Sequence, residues 1–441
     1  MKKIIALLLA ATMLFGLAAC TSTSSENVAS DQSKTQTNDV ATEENSTGEQ
    51  NISGLSIEVA SRIGDDEWNA SFEKLIEQFE TETGVTVTLT QYSESDYEDV
   101  MKTRMASNEL PDVWMTHGWS RLRYGDYLYP LNDQAWYQDE TDLAKGILEG
   151  NEGKGYALML DALVVGVVCN KTACENLGIN IDEIRTLDDF AAACQTAIDA
   201  GIVPLVNHNS AGDLAHISGL FTSYPDSLVD EGEAQLDGTY TWESYMPVLE
   251  WWAKMLDMGA LWDDRATMDS NDEYERLASG KSLFYFCETA NWAEQAHNLN
   301  PESEFVLIPV PAVKEGSSQY FFGGEGTAFG AWKDSQNLDA ALAFLAFLAK
   351  NGTPLVDGIP AISTVTGSGS YQQLVSEEAM EKYKDVTYVN MWDREYMPSG
   401  MWPVLAEAVG MLYSDHSEEN LVAIKDFLKE NYQEKYEAAH S

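Results

Sequence analysis

Basic residues are scarce in this chain of 441 residues: 26 lysines and arginines stand against 72 aspartates and glutamates, for a formal net charge of −46. That balance excludes nucleic acid as a partner, because phosphate recognition needs basic surface to displace counterions. Anionic lipid headgroups are disfavoured on the same ground. The acid is spread along the whole chain, which suits solubility, and attraction of a cationic ligand is the sharper alternative. Cysteine is also scarce, at five. There is no Cys-x-x-Cys pair and no Cys/His cluster, and His208 and His216 lack ligand spacing, so a zinc site is excluded and no cofactor is expected. No Gly-x-Ser-x-Gly elbow and no His-Glu-x-x-His motif points to an esterase or a metalloprotease. Apolar runs long enough to cross a bilayer are missing as well. The stretch from Ala157 to Val168 is interrupted by Asp161. No internal repeat is present.

What the chain does have begins at its amino end. Lys2 and Lys3 precede an apolar run from Ile4 to Leu17, closed by Leu17-Ala18-Ala19-Cys20. A charged start, a short apolar run and a small-residue cleavage site make the plan of a secretory signal. Leu-Ala-Ala-Cys resembles the lipobox of bacterial lipoproteins, which implies cleavage after residue 19 and a lipid on Cys20. Residues 20–54 are then a polar tether, too poor in large apolar side chains to fold. Cys169, Cys174, Cys194 and Cys287 remain in an exported chain. An even number permits disulfides, but Cys169, Cys194 and Cys287 lie in apolar patterns that suit buried thiols equally well.

From Leu55 the pattern alternates between strand and helix. Leu55, Ile57 and Val59 recur every second residue; Phe72, Leu75, Ile76 and Phe79 recur at helical spacing, and Gly84 stops that helix. A second strand (Val85, Val87, Leu89), a second helix (Tyr97 to Met105) and a third strand (Pro111 to Thr116) follow. Strand–helix alternation predicts a mainly parallel sheet, and ligands then lie beyond the carboxyl ends of the strands, at Arg62, Asp65, Trp114, Thr116 and His117. Tyr156 to Lys171 is long for one strand, and a charge in its middle fits two strands joined at a domain crossing. Further strands are expected at Ile202–Val206, Ser282–Cys287 and Phe305–Val310. Gly323-Gly324-Glu325-Gly326 reads as a loop before Ala328–Trp332.

In this order the segments resemble the extracellular solute-binding proteins of bacterial ABC transporters, in the carbohydrate-binding group that includes maltose-binding protein. The pieces that carry the resemblance are Phe79–Val87, Leu110–Trp114, Tyr156–Lys171, Leu283–Trp292 and Gly323–Trp332. The resemblance implies an α/β, two-lobed periplasmic-binding-protein-like fold of type II, each lobe a mainly parallel sheet flanked by helices and joined by hinge strands. Lobe 1 would comprise residues 55–161 and 310–351; lobe 2 would comprise 162–309 and 352–441. It further implies a monomer that closes on a carbohydrate, docks on a permease and catalyses no reaction.

A sugar offers hydroxyls to polar groups and C–H faces to aromatic rings. Among the 12 tryptophans, the resemblance places Trp114, Trp292, Trp392 and Trp402 at the cleft, while Trp251 or Trp252 belongs to the core. Asp161, inside an apolar strand, needs a partner, which a ligand hydroxyl, a backbone amide or an arginine could supply. Glu325 follows Gly323 and Gly324, which permit close approach of a ligand. Asn209, Glu288 and Asn291 end strands on the other lobe. Two rivals stand beside a sugar. One is a cationic ligand such as a polyamine or peptide, held by converging Asp161, Glu288 and Glu325. The other is a glycoside hydrolase, which needs a carboxylate pair.

Overall fold

The structure is a computed structural model that describes residues 51–118, 120–150, 153–207, 228–287, 291–312, 316, 319–356, 359–365, 382–383 and 386–440. The signal, Cys20 and most of the tether lie outside that range. The folded body begins a little before Leu55. The Leu55 amide donates to Ile52 and the Gly54 amide to the Gly84 carbonyl, and Ile52 packs on the first core.

In chain order the strands are β1 (Ser56–Arg62), β2 (Thr86–Tyr92), β3 (Val113–Met115), β4 (Leu158–Met159), β5 (Asp161–Asn170), β6 (Phe284–Cys287), β7 (Phe305–Ile308), β8 (Tyr320–Glu325), β9 (Ala328–Ala331), β10 (Ile359–Pro360) and β11 (Thr387–Asn390). The first sheet runs β2-β1-β3-β9-β4. Its β1 is parallel to β2 and β3, as the alternation predicts, whereas β9 enters antiparallel between β3 and β4.

Helix Asp66–Thr83 shows why the local sequence takes this form. Asp65 caps it by accepting from the Trp68 amide, Asp66 and Glu67 lie in its first turn, and Gly84 ends it at φ 72°. Acidic residues at a helix start meet the positive end of the helix dipole, and glycine takes the left-handed C-cap without steric cost. Its buried face, Phe72 to Phe79, meets helix Leu338–Asn351: Phe79 stands edge-on to Phe344 at 5.0 Å. Full burial of one such ring contributes about 1.5–3 kcal/mol.

The second sheet has β5 at its centre. Residues 162–165 of β5 pair with β8, and residues 166–170 pair with β6 and β7. β11 lies parallel to β8 and β10 antiparallel to β5. Pairing around β5 is therefore antiparallel, where strand–helix alternation alone suggested parallel neighbours. Ile202–Val206 supplies only isolated bridges at Leu205.

Two large cores follow the sheets, with a smaller cluster around Val168, Tyr285 and Phe305. Val310 and Tyr320 pack in the second core, whereas residues from Ala328 through Val365 pack in the first. Val310 and Tyr320, expected in the first lobe, thus share the second core, and Leu355, Ala361, Ile362 and Val365, expected in the second, share the first. Core membership changes between Ala162 and Leu163, between Tyr320 and Ala328, and between Val365 and Tyr383. No described helix is long and apolar enough to cross a membrane.

Candidate functional site

Where β8 hands over to β9, two buried acids hold the crossing together. Asp161 is 3% exposed; its carboxylate accepts from the Thr327 amide and its carbonyl from the Gly326 amide, at 3.0 Å. The backbone amide, one of the partners expected for a buried carboxylate there, is what the fold supplies. Glu325 is also buried. Its carboxylate accepts from the Thr116 hydroxyl (3.1 Å), the Gly118 amide (3.0 Å) and the Ser120 hydroxyl. Burial pushes its pKa up, and those three donors oppose the shift. Glu325 therefore ties the loop after β3 to the hinge.

That loop departs from ordinary backbone geometry. His117 adopts a left-handed φ of 43°, and Gly118 follows at 77°, a conformation that costs a non-glycine residue of order 1–3 kcal/mol. Burial first, then the guanidinium charges of Arg62 and Arg394, holds the His117 pKa well below its usual value, so its ring is neutral.

On the opposite lobe the short helix Trp392–Glu395 follows β11, and its last two residues reach across. Arg394 Nη1 donates to the Glu325 carbonyl at 2.8 Å. A side chain at Gly118 would lie 2.5 Å from Arg394 Nη1 on a backbone at φ 77°, so a substitution there would strain the turn and displace Arg394. Glu395 forms an ion pair with Arg121 of the first lobe. Between these residues lies a narrow recess of about 20 Å³, lined by Gly118, Arg121, Gly324, Asn390, Arg394 and Glu395 among others. It joins side chains from both lobes at the ends of β3, β8 and β11, as the strand-end rule demands.

The expected site residues divide in three. Thr116, His117, Asp161, Gly324 and Glu325 come together at the crossing, with Arg62 acting electrostatically on His117. Of these, Gly324 lines the recess directly, while the carboxylate of Glu325 is engaged with the loop. Asp65 is a helix cap. Trp114 is a correction: it is 0% exposed in the first core, edge-on to Tyr124 at 5.9 Å, because β3 is covered by the segment that follows it. Trp251 and Trp252 are both core residues. Trp402 opens helix Met401–Ser414 and is 41% exposed. Asn291, Trp292 and Trp392 stand at helix starts, with side chains outside the described set; Asn209 and Glu288 lie outside the described residues altogether. Cys169, Cys174 and Cys194 are buried free thiols.

Sequence reasoning missed Ser120, Arg121, Asn390, Arg394 and Glu395. Around the loop after β3, Arg62, Arg394 and Arg123 all act on His117 through their charges, and Arg123 pairs with Glu98 at 2.9 Å. Among the described residues no group of acids, histidines and cysteines could hold a metal ion.

Comparison with known proteins agrees with this geometry. The sequence profile of a family described as bacterial extracellular solute-binding protein matches residues 65–353. The melibiose/raffinose/stachyose-binding protein MelE of Bacillus subtilis is 29% identical over 366 residues, covering 81% of this chain and 85% of that protein. A Bacillus subtilis binding protein crystallised in an open conformation superposes with a TM-score of 0.79 at 28% identity, over 88% of this chain and 98% of its own. A Bacillus licheniformis sugar transporter in complex with stachyose shares the fold, with a TM-score of 0.71 at 23% identity over 86% of this chain and all of its own. These relatives are solute-binding proteins rather than enzymes. Two α/β lobes, a polar recess between them and a profile match across most of the body lead to one assignment: the chain belongs to the bacterial extracellular solute-binding proteins.

Proposed function

We propose that the chain captures an oligosaccharide of the melibiose–raffinose–stachyose class between its two lobes and delivers it to the permease of an ABC importer. A lipid on Cys20 holds it, as a monomer, at the outer face of the bacterial cytoplasmic membrane, and it performs no chemistry on its ligand. The named binding partners of MelE support the sugar class.

The observation that carries the reading is the charge balance of the recess. Asp161 and Glu325 spend their carboxylates on the protein itself, Glu395 is paired with Arg121, and Arg394 adds a second guanidinium. In the lining of the recess two guanidinium groups, Arg121 and Arg394, balance two carboxylates, Glu325 and Glu395, so a polyamine would meet no surplus of negative charge there. A neutral polyhydroxyl compound can donate to the carboxylate and accept from the guanidinium groups. The charge balance also weighs against a hydrolase, since none of these carboxylates is placed as a free acid–base pair.

The test is a thermal-shift and calorimetric screen of the compact unit Gln50–Ser441 against melibiose, raffinose, stachyose, maltotriose and spermidine. A ligand that binds only the folded state adds about 2.7 kcal/mol at a hundredfold excess over its Kd. Raffinose-class sugars are expected to raise Tm and to be recovered intact. A shift by spermidine alone would overturn the sugar, and a cleaved product would overturn the non-catalytic role.

A further inference from the structure

The loop after β3 and the short helix after β11 meet directly. Arg121 from the first lobe and Glu395 from the second form an ion pair whose side chains are 13% and 19% exposed. Each partner is seated on its own lobe. The Arg121 guanidinium rests against Gly150, at φ 50°, where a Cβ would lie 1.7 Å from Nη1. Gly150 ends helix Asp142–Glu149, whose Ile147 and Leu148 belong to the first core. Behind Glu395, Tyr396 packs against the second core. Its ring lies on Gly232 of helix Leu228–Leu236, where a Cβ would stand 2.5 Å away. Beside the pair, Arg394 lies against Gly118. With these contacts made, the recess left among the described residues there is about 20 Å³. That is room for about one water, whereas small-molecule sites measure about 300–1,000 Å³.

A sugar ring between these two segments and the ion pair across them therefore exclude one another. We infer that Arg121 and Glu395 form a latch, an ion pair that fastens the lobes together and must part before any ligand enters between these segments. The inference leans on the capture proposed above only for the path the ligand takes. The energetics suit a latch rather than a permanent brace. Drawing two charges out of water costs about as much as their attraction gains. When the lobes separate, both groups regain water together, so the open form carries no lone buried charge. The bias towards closure is thus small enough to be overcome. Salt weakens it, because both side chains keep some exposure. Protein held shut cannot admit ligand, so the latch lowers the apparent affinity in proportion to the fraction it keeps closed.

The experiment uses the full chain with no sugar added. Small-angle scattering and hydrogen exchange by mass spectrometry compare wild type with Arg121→Glu, with Glu395→Arg and with the charge-swapped double variant that carries both. Each single variant sets like charges against one another. It is expected to show a larger radius of gyration than wild type. Its exchange over residues 120–125 and 391–397 should be about five- to tenfold faster, the reach of one partly screened ion pair turned repulsive. The double variant should recover the wild-type radius and rates, which a merely structural role of either residue would not produce. Single variants that match wild type would overturn the latch, as would a double variant that behaves like the singles. Melting curves check that the variants fold. If the single variants do not, wild type decides: its radius should grow as salt rises from about 0.01 M to about 1 M, where the Debye length falls from roughly 30 Å to 3 Å. A radius indifferent to salt would then overturn the latch. Sugar enters none of these readouts, so a failed sugar screen would sink the capture reading and leave this inference to stand or fall on its own.

Discussion

Glu140 carries a carboxyl group into the first core at 3% exposure. Oε1 accepts from the Met159 amide at 3.3 Å, and Oε2 is buried without a hydrogen-bond partner. Burial, reinforced by the charge of Glu325 and opposed by Lys145, pushes its pKa up to about 8. The native state therefore holds a proton that the unfolded chain, titrating near about 4.3, releases. A raised carboxylate pKa means stability that is complete below the unfolded value and is lost as pH climbs towards 8. Urea titrations should show wild type losing stability between pH 5 and pH 8.5. Glu140→Gln should lose markedly less and be the more stable of the two at pH 8.5. Parallel curves for the two proteins would refute the assignment.

Strand β8 shows how an element can be hidden by its own composition. Gly323 and Gly324 read as a loop, yet they are strand residues hydrogen-bonded between β5 and β11. A Cβ on Gly323 would lie 1.6 Å from the Tyr388 hydroxyl and 1.8 Å from the Leu163 carbonyl, whereas one on Gly324 would lie 3.3 Å from the movable end of Arg394. Gly323→Ala is expected to destabilise by about 1–3 kcal/mol or more, the usual cost of overpacking. Gly324→Ala should shift Tm far less, and melting curves of the two variants decide the matter.

The contrast marks what sequence could tell. Period-two and helical spacing made β1, β2 and their helices legible, because each buries one continuous face. The glycines of β8 were not legible, because the groups that demand them are distant in sequence. The same holds for Arg121 and Glu395, which sit 274 positions apart in segments with no periodicity. Trp114 misled for the opposite reason: its strand-end position is right, but the side chain turns into the core.

At the scale of the molecule, the first lobe is assembled from two separate stretches. Its strand β9 lies between β3 and β4 in the sheet although it follows both in the chain. A chain stopped after Thr327 would keep β1 to β3 and lose the strand that joins β3 to β4. Such a truncation is expected to abolish the cooperative melting of the first lobe and to expose residues 55–160 to protease. Resistance of that stretch would show that β9 is dispensable.

The placement of β9 also sets an order of events during secretion. Export delivers a polypeptide amino end first, so β3 reaches the outside with an unpaired edge, and its partner follows only roughly two hundred residues later. Through that interval the emerging half-lobe is an open template for pairing with other chains. Safe delivery therefore depends on how fast the remainder arrives, and slowed translocation should send this protein into aggregates or to extracytoplasmic chaperones and proteases before any flaw in the finished fold could do so.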